Sequence, residues 1–374
     1  MQERPHADAG KIAAAKPQTS RGLSRGQLLR ISLGYLVGSI GALVFLALKL
    51  PLPWFLGSLS FCLVAAVCHA PIERPRVMSI PVRAVLGVAI GAAFSPALLA
   101  MLGSMAGSLL LVVPYMLLII VLGLLFFERV AKFDRPTAFF CAVPGGLTDM
   151  VSMSADAGAN VRAVTLIQAT RITMIVAILP FWLQLSGQQG IGGAMPPGVH
   201  LTDFSFLDAL VLVGLGWLGW LVARKLGIAG APLVGPMILS GLAHASGLTS
   251  AKVPVEVMIF AQVTLGIMLG AQFRGLTWRE FSATMTWGIV FAFVLVAVTG
   301  VVALGVSGLT GFDSTSVLLA FAPGGQAELN LLAYILGLDV AYTALHHLVR
   351  LAVVIFGAQL VFLANKNWRG SGDL

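Results

Sequence analysis

The sequence predicts an all-α polytopic membrane protein. It is built from two inverted repeats of about five spanning helices, each with one Pro-Gly-Gly segment that is broken or re-entrant. Three observations lead there. First, 58% of the 374 residues are apolar and only 10% are charged, whereas an ordinary soluble domain carries about 25% charged and about 45–50% apolar residues. Second, the apolar residues fall into runs of about 20, long enough to cross a bilayer core as helices. Third, features of one half recur in the other at a constant spacing of 179 positions. A water-soluble globular enzyme is excluded by the first observation alone.

Taken in order, residues 1–28 are polar, Ala-rich and basic. They lack an apolar stretch followed by a cleavage site, so they read as a disordered cytoplasmic arm. Membrane repeat 1 occupies 29–184, with apolar segments at 29–48, 53–70, 82–102, 106–127, 136–158 and 161–184. A Gly- and Pro-rich linker follows at 185–204. Membrane repeat 2 occupies 205–365, with segments at 205–223, 229–245, 253–273, 284–306, 314–338 and 341–364, and 366–374 form a tail. Cys62, Cys68 and Cys141 all lie in apolar runs and read as buried thiols.

Two segments are interrupted at mid-length, by Pro144-Gly145-Gly146 and by Pro323-Gly324-Gly325. Proline removes a backbone donor and clashes with the preceding turn, and glycine weakens the helix further. Each run therefore reads as two short helices joined by unwound backbone. Such backbone survives at membrane depth only inside protein or beside a water-filled cavity. Adding 179 superposes the triplets and also maps Gly87 on Gly266, Gly91 on Gly270, Asp134 on Asp313 and Arg171 on Arg350. Gly57 and Gly235 correspond at 178. A match this long implies an internal duplication.

Charge placement distinguishes two topologies, because cytoplasmic loops carry excess Lys and Arg. If all twelve segments span, the halves run parallel, with 15 Lys/Arg inside and six outside. If the two Pro-Gly-Gly segments are re-entrant, the second half is inverted, and the count becomes 19 inside against Lys49 and Lys252 outside. The inverted topology fits better. The net charge of +8 then reads as orientation, with the N-terminus cytoplasmic, rather than as a nucleic-acid surface.

Inverted repeats with paired broken helices are the architecture of secondary transporters, whose sites lie at the broken tips. The candidate substrate- and ion-binding residues are therefore Pro144, Gly145, Gly146, Thr148 and Asp149 in the first half. Pro323, Gly324, Gly325, Glu328 and Asn330 stand in the second. Asp149 and Glu328 correspond, one carboxylate in the first turn after each break. They suit either the positive helix end or proton or cation coupling. Arg171 and Arg350 lie within the next apolar run, with Gln168 and His347 three residues earlier on the same face. A charge at the bilayer centre costs about 2.5–3.5 kcal/mol. Each arginine is thus expected to pair with a tip carboxylate, to contact an anionic ligand, or both. Asp134 and Asp313 read as helix caps, and the Gly-xxx-Gly pairs as close helix packing. His346-His347 cannot converge on one metal, since neighbours on a helix point about 100° apart. No metal or cofactor site and no catalytic constellation is readable, so an enzyme finds no support.

Leu52-Pro-Trp-Phe-Leu-Gly57, Val143-Pro-Gly-Gly-Leu-Thr-Asp-Met150 and Ala322-Pro-Gly-Gly-Gln-Ala-Glu-Leu-Asn330 together resemble the bacterial AbrB-type duplicated membrane family. The resemblance runs from about residue 30 to 365. It implies a multi-pass protein of the bacterial inner membrane. Members carry the labels ammonia monooxygenase or regulator of gene expression. The small soluble DNA-binding regulator of the same name is unlike this chain.

Three function classes follow. One is a secondary transporter of a small anion or organic acid, coupled to H+ or Na+. Another is a membrane regulator sensing a ligand at the same site. The third is a monooxygenase. The expected partners are the lipid bilayer and a small anionic ligand, with no direct nucleic acid. A homodimer is left open. A periplasm-active reporter fused near Gly193 should be active and a cytoplasm-active one silent. The opposite pattern would refute the inverted topology.

Overall fold

A computed structural model describes residues 24–364 except 95, 188–192, 194, 276 and 277. The side chains at 96–102, 147–149, 278–283, 359, 360 and 362–364 also lie outside the description. The basic arm, apart from its last five residues, and the tail therefore fall outside it. The described residues form helices and connections without a strand.

The first half holds α1 (Arg25–Ala47), α2 (Ser58–Val67), α3 (Ser79–Gly91) and α4 (Pro96–Leu125). It continues with α5 (Arg135–Ala142), α6 (Leu147–Asp156) and α7 (Val161–Leu185). The second holds α8 (Phe206–Lys225), α9 (Ala231–Ala245), α10 (Val255–Gly270) and α11 (Trp278–Thr310). It ends with α12 (Ser314–Phe321), α13 (Gln326–Ile335) and α14 (Val340–Ala364). A π-helical turn, Pro53–Gly57, leads into α2, and another, Phe126–Val130, prolongs α4. Seven of the described helices are long and apolar enough to cross a membrane. Pro53–Val67 and Ala231–Ala245 are shorter apolar helices. The chain is thus a multi-pass helical membrane protein.

Local chemistry sets the helix ends. Ser24 and Gln27 close α1 with a reciprocal capping box. Asp134 accepts from the Thr137 amide at 3.1 Å and Asp313 from the Ser316 amide at 2.8 Å. Both aspartates are therefore caps, as their position implied. One boundary differs from the sequence reading. The apolar runs 82–102 and 106–127 do not meet near Gly103; α3 stops at Gly91 and α4 starts at Pro96. Proline is favoured at the first helical position, where its missing N–H has no partner to lose. Gly103 is carried within α4 with nothing near its Cα.

The halves are locked together by glycine. A Cβ on Gly87 would strike the Leu233 carbonyl oxygen and Pro236, and one on Gly91 the Met237 carbonyl oxygen and Gly241. Contacts that ascend along both helices make α3 and α9 parallel neighbours. In the other pairing, Gly266 meets Phe55 and Ser58, and Gly270 meets Leu59 and Leu63. These are the same contacts with the halves exchanged, at spacings of 179 on one helix and 178 on the other. Within each half the backbone of Gly41 touches Gly57, and that of Gly219 touches Gly235. Close approach of this kind replaces the missing hydrophobic drive between helices in lipid with dispersion contacts.

The linker is tied down on three elements. Gly193 N–H donates to Leu50 O at 3.2 Å, Val255 N–H to Val199 O at 3.0 Å, and Tyr334 Oη–H to Pro197 O at 3.0 Å. His200 and Glu256 add a side-chain bond at 2.9 Å.

Gly235→Val should lower the unfolding temperature of the detergent-solubilised protein, by overpacking worth about 1–3 kcal/mol. Gly103→Ala, with open space around it, should leave that temperature unchanged or slightly raised. Equal behaviour of the two would remove the packing role.

Candidate functional site

Each Pro-Gly-Gly triplet lies between two short helices. The α5 helix ends at Ala142 and α6 starts at Leu147; α12 ends at Phe321 and α13 starts at Gln326. The residue before each proline is extended, Val143 at φ −69°, ψ 121° and Ala322 at φ −56°, ψ 127°. Steric conflict with the proline ring excludes the helical conformation there. The last carbonyls of α5 and α12 consequently lack helical N–H donors.

Buried side chains from the following long helix meet those carbonyls. Gln168 on α7 donates through Nε2 to Phe140 O at 2.6 Å and Val143 O at 2.8 Å, and Arg171 donates to Val143 O at 3.3 Å. In the second half His347 on α14 reaches Leu319 O through Nε2 at 3.0 Å. Arg350 donates to Ala322 O and, at 3.2 Å, to Gly324 O. Subtracting 179 turns His347 into Gln168, Leu319 into Phe140, Arg350 into Arg171 and Ala322 into Val143. The same atoms are thus held by the same positions in both halves.

The physical cause is the negative end of each half-helix. A guanidinium beside exposed carbonyls is stabilised by the local dipole, and each hydrogen bond to a charged group is worth about 1.5–3 kcal/mol. The expected arginine–carboxylate pairing is not formed at Arg350, and at Arg171 it falls on the Asp149 side chain, outside the described residues. Neither arginine has a described carboxylate within ion-pair distance, and Arg350 and Glu328 are not paired.

The positive ends behave differently. Gly146 and Gly325 are the N-caps of α6 and α13, with ψ of 132° and 131° and no side-chain cap. A helix start of this kind presents first-turn amides that suit an anion, and in α13 the Glu328 carboxylate takes that place. Glu328, 8% exposed, folds back over Gly325, where a Cβ would strike its Oε2. Arg83 on α3 lies within electrostatic reach of this carboxylate. The second break also presses on α7. A Cβ on Gly324 would sit 3.1 Å from Ile175 Cγ2, and one on Gly325 3.2 Å from Ile172 Cγ2. The second tip therefore lies against the helix that carries Arg171. Arg171 is in turn within electrostatic reach of Arg350 and Tyr115.

Among the proposed residues, Gln168, Arg171, Glu328, Asn330, His347 and Arg350 are all buried around these breaks. Pro144, Pro323 and Gly324 are buried, and Gly145, Gly146 and Gly325 are partly so. The side chains of Thr148 and Asp149 lie outside the described residues. Several buried polar atoms have no hydrogen-bond partner among the described residues: Gln168 Oε1, Arg171 Nε, Gln326 Nε2 and both polar atoms of Asn330. An unmet buried donor or acceptor costs about 1–3 kcal/mol. These atoms are suited to bind the polar groups of a ligand.

Three participants escaped the sequence reading. Gln326 directly follows the triplet and could have been included on position alone. Tyr115 bonds Thr299 across α4 and α11 at 2.7 Å and meets the Phe321 ring edge-on at 5.4 Å. Its signal was a single tyrosine in an apolar run. Arg83 had none, since its neighbour is remote in sequence. His346 turns away from His347, with Nδ1 toward Tyr342 O at 2.8 Å and Nε2 on Ser108 Oγ at 3.0 Å.

Arg350→Met should lower the thermal stability of the purified protein by about 1–3 kcal/mol, because it strands two buried carbonyls. Arg350→Lys should recover part of the loss. Unchanged unfolding of the methionine variant would remove the capping role.

Comparison with known proteins places this geometry in a family. Residues 54–364 match the family described as transition state regulatory protein AbrB. The chain is similar to YhjN of Bacillus subtilis (strain 168), an uncharacterized protein. They share 25% identity over 344 residues, covering 85% of this chain and 88% of that one. It is also similar to AbrB of Escherichia coli (strain K12), which bears a regulator's name. There the identity is 23% over 303 residues, covering 77% and 83%.

Proposed function

The chain belongs to the AbrB family, and from that premise we propose that it is a secondary transporter of a small anion or organic acid in the bacterial inner membrane. Two inverted repeats would carry re-entrant Pro-Gly-Gly tips, with the N-terminus cytoplasmic. The observation that carries this reading is the matched pair of buried arginines. Each caps the carbonyl end of a broken helix whose partner half-helix begins at a glycine with no capping side chain. A guanidinium has five N–H donors, and the carbonyl bonds leave Arg171 Nε without a partner among the described residues. An anion at a tip would be bound by first-turn amides and a guanidinium edge together.

Helix direction supports the inverted arrangement. The α3 and α9 helices run parallel by their glycine contacts. In a chain of twelve alternating spans they would be the third and eighth segments and would run antiparallel. With each broken segment entering and leaving on one side, they run the same way. Backbone unwound at depth is supported by protein on its far side, as Ile172 and Ile175 do for the second tip. Asp149 and Glu328 are the proposed coupling acids for H+ or Na+. Binding of the anion would compete with the Glu328 carboxylate for the α13 amides, so loss of that charge by protonation would favour it.

Uptake of radiolabelled small anions and organic acids by the purified protein in liposomes tests the reading. Arg171→Ala and Arg350→Ala should abolish flux while the protein still inserts. Arg171→Lys and Arg350→Lys should retain a fraction of it. Ligand-induced thermal stabilisation without flux in the wild type would instead assign the site to a membrane regulator, the role that the Escherichia coli relative's name carries.

A further inference from the structure

The seam between α3 and α8 leaves an apolar groove of about 410 Å³, within the range of about 300–1,000 Å³ typical of ligand sites. Its walls include Ala84 and Val88 on α3, Gly216, Trp217 and Trp220 on α8, and Val257 on α10. None of these residues belongs to the arginine-bearing centre.

The matching seam in the other half, between α10 and α1, is filled. There Val263 and Ile267 stand where α3 has Ala84 and Val88, 179 positions earlier, and Gly38 stands 178 positions before Gly216. Ile267 is fully buried, and its Cγ1 would lie 2.8 Å from a Cβ on Gly38. Tyr35 stacks on Phe260 across the same seam at 5.8 Å. On α3 the smaller pair stands farther off. From the equivalent point on Gly216, Val88 Cγ2 is 3.5 Å and Ala84 Cβ 4.0 Å away. Three side-chain carbons fewer at these two positions, with Val213 and Pro81 where the filled seam has Tyr35 and Phe260, open the groove here.

One end of this groove is basic. The α9 helix is parallel to α3 and, packed on α8 through Gly219 and Gly235 and joined to it by only residues 226–230, antiparallel to α8. The α3 and α8 helices are therefore antiparallel, and the Ile80 and Pro81 end of the groove lies beside Trp220 and the last turn of α8. Arg224 and Lys225 are exposed there, and the Arg224 guanidinium stacks 4.9 Å from the Trp220 ring centre. Trp217 is 60% exposed and Val213 68%, so the groove opens on the surface a bilayer would cover.

We propose that this groove seats one acyl chain of an anionic phospholipid, with the headgroup phosphate on Arg224. A slot with apolar walls and a cation over an interfacial tryptophan matches a lipid along its whole length. The chain leaves water for the slot, and the phosphate stays at the level where Trp and basic residues concentrate. A second copy of this chain would meet the same surface with its own exposed arginines and is disfavoured by charge.

The test is a titration of the full-length, delipidated protein in detergent with dioleoyl phosphatidylglycerol and, separately, dioleoyl phosphatidylcholine, read by thermal unfolding. Phosphatidylglycerol should raise the unfolding temperature more than phosphatidylcholine does. Ala84→Val with Val88→Ile, which copies the filled seam, should lose the rise from both lipids. Arg224→Gln should lose only the excess given by phosphatidylglycerol. A wild-type response in either variant would overturn the proposal. Should the double variant fail to fold, the number of phosphatidylglycerol adducts retained in native mass spectrometry by wild type and Arg224→Gln decides the matter. Efficient cross-linking of Trp217→Cys between two chains in vesicles would assign the face to a second copy and refute a seated lipid.

Discussion

The interaction on which the rest depends is the hydrogen bonding of a buried guanidinium to the carbonyl end of a broken helix. It occurs twice, at Arg171 with Val143 and at Arg350 with Ala322 and Gly324. Proline ends the helix and turns the preceding residue extended, which strands carbonyls inside an apolar protein. Without donors those carbonyls would cost more than a short helix can return. An arginine there satisfies them, although Arg171 Nε keeps no partner among the described residues. The broken segment and the buried charge thus make each other tolerable.

This reciprocity explains the placement of the neighbours. Gln168 and His347 stand one turn before the arginines and hold the carbonyls one turn back, at Phe140 and Leu319. The π-turn before α2 and the glycine seams bring the halves close enough for the second tip to lie on α7. Tyr115 and Thr299 link α4 to α11 beside the same centre. Small residues at the helix crossings and polar ones at the breaks serve one purpose, which is to hold unwound backbone inside protein.

The two halves are alike where backbone is held and different where side chains face a ligand or lipid. Carbonyl caps, helix ends and glycine contacts repeat by position. By contrast, Asn330 stands where the first half has Val151, Gln326 where it has Leu147, and Ala84 and Val88 where the second half has Val263 and Ile267. Backbone support tolerates little change because its partners are fixed atoms. Side-chain chemistry at the tips and seams is free to diverge, and there the halves can acquire separate tasks.

Much was readable from the residues alone. The apolar content dictated a helical membrane protein, because only helices and closed barrels satisfy backbone groups in lipid. The constant spacing located corresponding positions, and proline chemistry located the breaks. Asp134 and Asp313 were recognisable as caps because capping is local. Partner choice was not readable. Charge alone suggested that Arg171 and Arg350 would find carboxylates; Arg350 lies on carbonyls and not on Glu328, while the side chain of Asp149, the candidate partner of Arg171, lies outside the described residues. Gly103 looked like a boundary in one dimension and is ordinary helix in three, since Pro96 opens α4 earlier. The groove beside Trp217 depends on small differences in side-chain size between helices far apart in sequence. Local propensity and periodicity are properties of the chain, whereas the partner of a buried charge and the filling of a seam depend on distances that only packing sets.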